Sequence, residues 1–104
     1  MLYNNTLLRA VQGVVEALAR WEAVHDLLIA QRDSIEAMRK NERLVEVGYK
    51  TGLNDQRAVL EARHALYQER FQLAILEAEY LQAAVRLIEA LGGGYHNSAV
   101  PAPR

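Results

Sequence analysis

The groups in this chain that could do acid–base or metal chemistry are three histidines and a scatter of carboxylates, and their spacing converges on no site. In a helical hairpin folded about Gly52, His25 falls near Tyr80 or Leu81, while His64 falls near Glu42, far along the axis. Together with His96 they read as polar interruptions of apolar seams, not as a metal site. The glutamates have no convergent partner, so a paired-carboxylate active site is unsupported. Cysteine is absent, which excludes disulfides, thiolate zinc sites and cysteine nucleophiles. Gly92, Gly93 and Gly94 follow a helical stretch instead of opening one, the wrong placement for a phosphate loop. Trp21 and the five tyrosines suit packing and interfaces better than base stacking. The sequence thus supplies no catalytic residue, no cofactor-binding residue and no metal ligand set, and an enzyme reading has no supporting residue.

The elements that must position any functional group are helical. Between Asn4 and Val47 there is no proline, and Leu7, Val11, Val14, Leu18, Trp21, His25, Leu28, Arg32 and Ile35 step by alternating fours and threes. A second stripe runs beside this seam through Ala10, Ala17, Val24, Met38 and Val45. Past the break, Leu60, His64, Tyr67, Phe71, Ala74, Ala78, Leu81, Val85 and Ile88 keep the same stepping, with Val59, Ala62, Leu66, Leu73, Leu76, Tyr80, Leu87 and Leu91 alongside. Two seams per helix imply neighbours on two sides, as in a ring of helices. The break itself is Thr51-Gly52-Leu53-Asn54-Asp55. Gly52 can take the left-handed conformation that ends a helix, Asn54 is expected to cap the next, and Asp55 to place an anion in its first turn.

The spacing therefore predicts an all-α chain: a long antiparallel two-helix hairpin, coiled-coil-like, with a helix over about 4–48, a tip over 49–55 and a helix over about 55–91. Residues 1–95 form the hairpin and 96–104 a flexible tail after the glycines. Fraying is expected near Gly48, since glycine inside a helix costs about 1 kcal/mol relative to alanine. Folding about the tip predicts pairs whose numbers add to 105 or 106: Val45 with Leu60, Met38 with Tyr67, Ile35 with Phe71, Trp21 with Val85. At 104 residues with 51% hydrophobic side chains, a lone hairpin cannot cover its outer faces, which implies burial against something else. The net charge of -1 carries no basic bias, so nothing argues for nucleic acid or an anionic membrane surface as a partner. No apolar run reaches the roughly 18 to 20 residues of a membrane span, and the start lacks the pattern of a signal peptide.

These residues carry a family resemblance. YNNTLLRAVQGVVEAL, VGYKTGLNDQRAVLEARHALYQ and LQAAVRLIEALGGGY, in that order, resemble the C-terminal portion of outer membrane efflux proteins, the TolC-like outer membrane factors. Its marks are Tyr49-Lys50-Thr51-Gly52 at the tip, Val59-Leu60-Glu61-Ala62 on the returning helix and Leu91 to Gly94 at its close. The resemblance covers roughly residues 3 to 95. It implies a fragment of an α-helical barrel: the periplasmic part of a trimeric outer membrane conduit. Such a conduit exports small molecules or proteins with a periplasmic adaptor and an inner-membrane pump, and its localisation is outer membrane and periplasm. The chain looks like the last third of such a protein, without barrel strands, first repeat or signal peptide.

By the same resemblance, Tyr49, Thr51, Gly52, Leu53 and Asn54 form an adaptor-docking tip. Glu61 is a pore-gate carboxylate, of which three copies would make an anionic ring. The family often has a second acid three residues before it; Ala58 stands there here, so Asp55 is the remaining nearby acid. Two alternatives share the hairpin shape: a periplasmic adaptor-type hairpin, and a free-standing coiled coil that oligomerises through its second seam.

Overall fold

The computed structural model describes the backbone of residues 2–99 and the side chains of residues 4–92. It is an antiparallel helical hairpin: α1 is Leu2–Lys50, α2 is Gln56–Ala99, and no strand occurs among the described residues. α1 runs unbroken through Gly13 and Gly48, so the expected fraying is not seen. α2 continues through Gly92–Gly94 to Ala99, where the glycines were expected to end it. Glycine tolerates helical dihedrals at a propensity cost, and no proline intervenes before Pro101. Residues 100–104 of the expected tail lie outside the described residues. No helix of the described chain is long and apolar enough to cross a membrane.

The chain packs as two compact units, one made of the stretch Asp26–Glu77 and the other of the stretches flanking it. In the turn-side unit Leu28, Ile35, Val59, Ala62, Leu66 and Leu76 are buried. Each large aliphatic side chain removed from water in this way contributes about 1.5–3 kcal/mol. Polar groups complete the same seam. The Gln31 amide Nε2 donates to the Glu69 carbonyl at 2.8 Å and to its Oε1 at 3.1 Å, and Ser34 Oγ donates to that Oε1 at 3.0 Å. Arg63 reaches from α2 to two α1 carboxylates, with Nε 3.2 Å from Glu42 and Nη2 3.1 Å from Glu46. The Glu46 hydrogen bond, and then its charge with the bond and charge of Glu42, outweigh desolvation and raise the Arg63 guanidinium above its already high ordinary value. Arg32 and Glu77 pair at 3.8 Å, both exposed.

In the other unit Val24 and Ala83 are buried. Beside them Trp21, His25 and Tyr80 form a triangle of rings, with Trp21 5.7 Å and His25 6.0 Å from Tyr80 and 6.2 Å from each other. The placement of His25 against Tyr80 is the one the hairpin register predicts.

The seam assignment needs correction. The row that faces α1 on α2 is Val59, Ala62, Leu66, Leu73, Leu76, with Tyr80, Ala83 and Leu87 continuing it in the other unit. The row read as primary points outward: Leu60, Tyr67, Phe71, Leu81, Val85 and Ile88 are all more than half exposed. On α1 the inner row combines both stripes: Val14, Trp21, Leu28 and Ile35 from the first, Ala10, Ala17, Val24, Met38 and Val45 from the second. Leu7, Val11 and Leu18 are exposed. Trp21 accordingly packs on Tyr80, while Val85, the partner expected for it, is exposed. The physical reason is that the two rows sit one residue, about 100° of helix, apart. Either satisfies the period. The one that can close against a partner helix carries small residues and polar groups that find each other.

Candidate functional site

The turn at residues 51–55 is where the chain's special chemistry is concentrated, and it lies wholly within the turn-side unit. A helix end leaves its last carbonyls without partners, and here the turn supplies them. Gly52 has φ of 86°, the one positive value among the described residues, which only glycine adopts without steric cost. Its N–H donates to the Tyr49 carbonyl at 3.2 Å, and the Leu53 N–H donates back to Gly48 at 2.7 Å. This pair of bonds around a left-handed glycine is the Schellman arrangement. Thr51 adds two more: its N–H and its Oγ1 each donate to the Val47 carbonyl at 3.0 Å. The hydroxyl also lies 3.2 Å from the Gly48 carbonyl.

The cap of α2 differs from the expected one. Asp55 itself is the N-cap, its Oδ1 accepting the Ala58 N–H at 3.0 Å, and no acid occupies the first turn of α2. Asn54 turns the other way and braces α1, its Nδ2 donating to the Val45 carbonyl at 3.2 Å and its N–H to Gly48 at 3.0 Å. The sequence could not separate these roles because Asn and Asp are equally good caps and stand side by side.

The expected tip residues therefore divide. Thr51 and Asn54 spend their polar atoms on α1, and Gly52 supplies the backbone turn. Among polar neighbours such as Lys50 and Gln56, the tip also exposes two large side chains, Leu53 at 83% and Tyr49 at 47%. A residue in the position of Leu53 usually rests on a side chain one turn back in the helix. Here that position is Gly48, which offers none. Beside the tip, Tyr49, Val59 and Leu60 with Glu46, Lys50 and Arg63 line a shallow cleft.

Of the expected gate residues, Asp55 is occupied as the cap and Ala58 is half-buried. Glu61 is exposed and 3.8 Å from Arg57, one helical turn earlier. His64 is exposed on α2, and the side chain of His96 lies outside the described residues. Sequence reasoning missed Gly48 and Arg63. Gly48 looked like a helix defect, and the only signal for Arg63 was its position opposite Glu42 and Glu46 in the hairpin register.

Comparison with known proteins matches residues 2–93 to the model of the outer membrane efflux protein family. Multidrug resistance outer membrane protein MdtP of Escherichia coli (strain K12) is 31% identical over 98 residues, covering 94% of this chain and 20% of that protein. Probable efflux pump outer membrane protein TtgC of Pseudomonas putida (strain KT2440) is 32% identical over 94 residues, 90% of this chain and 19% of its own length. Pyoverdine export outer membrane protein OpmQ of the same strain is 34% identical over 93 residues, 89% of this chain and 20% of its own. The chain thus spans about one fifth of the length of the curated relatives it matches. No solved structure gives a significant match. On the strength of a family match that runs through both helices and the turn, the chain belongs to the outer membrane efflux protein family.

Proposed function

We propose that this hairpin is the periplasmic helical-barrel part of a trimeric outer membrane efflux conduit, and that its tip docks onto a periplasmic adaptor joined to an inner-membrane pump. The observation that carries the docking half is Leu53: a large apolar side chain, 83% exposed, on a turn in which the N–H groups of residues 51–54 all donate to carbonyls of α1. An apolar anchor on a rigid mount suits burial in a partner's pocket. The barrel half is supported by the uncovered apolar rows, with Leu60, Tyr67 and Phe71 exposed in one unit and Leu81, Val85 and Ile88 in the other. Such rows call for neighbouring helices.

Within this reading Leu53 and Tyr49 make the contact, while Thr51, Gly52 and Asn54 set the turn. Glu61 is the gate carboxylate in the same reading. Arg57, 3.8 Å away, lowers the net charge that three copies would gather, and Ala58 removes the second acid.

The experiment is Leu53→Asp and Leu53→Arg in the full-length parent. A charge forced into a dry contact is costly, while the exposed side chain contributes nothing to hairpin packing. Export is expected to fall severely with trimer levels close to normal. Unchanged export would show that residues 49–54 do not dock.

A further inference from the structure

The turn contains one close approach that neither capping nor helix propensity asks for. Gly48 is buried in the last turns of α1, and a Cβ placed on it would overlap the side-chain amide of Asn54. Gly13, in the same helix, has open space where its Cβ would stand. Asn54 occupies the room that Gly48 leaves and makes use of it twice. Its Nδ2 donates to the Val45 carbonyl at 3.2 Å, and its N–H donates to Gly48 at 3.0 Å. Leu53, between this residue and Gly52, is thereby pinned on both sides with its side chain outward.

We propose that Gly48 and Asn54 form a lock that positions the tip: Gly48 is required to seat the Asn54 amide, and Asn54 acts by holding the turn and not by touching a partner. The lock deepens the docking reading and rests on it only for its consequence in export. Two physical expectations for Gly48→Ala are opposed in sign. Alanine is the better helix former, so a glycine with no other duty would gain stability on replacement. A seated Asn54 reverses this. The new Cβ expels the amide, the Val45 bond is lost, and the turn loosens.

The test is a double-mutant cycle on the chain itself, read by thermal melting and by amide hydrogen exchange over residues 49–57. In the parent background Gly48→Ala is expected to lower the melting temperature. It should also speed exchange at the Leu53 and Asn54 amides by about three- to tenfold, the equivalent of one hydrogen bond. In the Asn54→Ala background, where no amide stands in the way, the same Gly48→Ala change is expected to raise the melting temperature. A rise in both backgrounds, or exchange that Gly48→Ala leaves unchanged, overturns the lock. Export by the full-length parent is then measured separately. If the cycle inverts as expected while Gly48→Ala exports normally, the lock stands and the docking reading falls.

Discussion

Val59 and Leu60 are neighbours in sequence, and so are Leu66 and Tyr67, yet in each pair one residue is core and the other is surface. Val59 and Leu66 are 6% and 3% exposed, Leu60 and Tyr67 55% and 58%. Both rows keep the four-three period, and the outer row is the bulkier, carrying Phe71 as well as Tyr67. The difference is what each can close against. A two-helix seam needs near approach, which Ala62 allows and a Phe71 at the same interface would oppose. Among the described residues the outer row is left exposed by the hairpin, the kind of surface that further helices could cover.

Opposite substitutions in the two rows give the largest expected effect. Leu66→Asp buries an unpaired carboxylate and opens a cavity, and should destabilise the chain by on the order of 4 kcal/mol or more in urea unfolding. Phe71→Asp, on the outer row, should stay within about 0.5 kcal/mol of neutral for the hairpin itself. It should instead weaken association of the chain with itself, seen as a shift toward monomer in sedimentation and less hydrophobic dye bound. Equal destabilisation by both would erase the distinction between the rows.

The hairpin was legible because its signals are local and redundant: two proline-free periodic stretches, with Gly52 as stop and Asn54-Asp55 as start. The choice of seam was not, for a reason visible in particular residues. Apolar continuity could not rank the rows: the predicted seams are interrupted at His25, Arg32 and His64, the true inner rows at Gln31 and Glu42 on α1 and at Glu69 on α2. The inner-row interruptions are partners. Gln31 and Ser34 donate to Glu69, and Glu42 accepts from Arg63. A polar residue in a seam counts against it only until its opposite number is known, and that depends on register. The candidate tip was legible as a location, since the turn and the family motif coincide there. Which tip atoms face outward was not, because capping chemistry allowed Asn54 and Asp55 to exchange roles.

The tip and the arms can be compared by removing one hydrogen bond from each. Asp55→Ala deletes the N-cap of α2 and leaves the Ala58 N–H without its acceptor. A loss of about 1 kcal/mol is expected, with the first turn of α2 exchanging faster and the α1 end unaffected. Faster exchange at Gly52 and Leu53 as well would mean that the two helix ends share one cooperative turn.

Arg63 offers the smallest and most condition-dependent effect. It joins the arms near the tip through Glu42 at 3.2 Å and Glu46 at 3.1 Å, but its side chain is 44% exposed, so solvent and salt screen both pairs. Arg63→Gln keeps most of the aliphatic stem over the seam and removes the charge. At low ionic strength the melting temperature should fall by less than Asp55→Ala lowers it. In about 1 M salt, where the screening length shrinks to about 3 Å, most of that difference should vanish. The Asp55→Ala effect, a short local bond to the backbone, should persist. The guanidinium is raised in the folded state by Glu46 and then Glu42, so while those carboxylates are ionised its contribution is complete below its unfolded range and is lost only as pH rises through the folded value, beyond ordinary alkaline conditions. Titrating the arginine therefore adds no slope to stability near neutrality. A loss in Arg63→Gln that survives high salt undiminished would assign Arg63 a packing role in place of an electrostatic one.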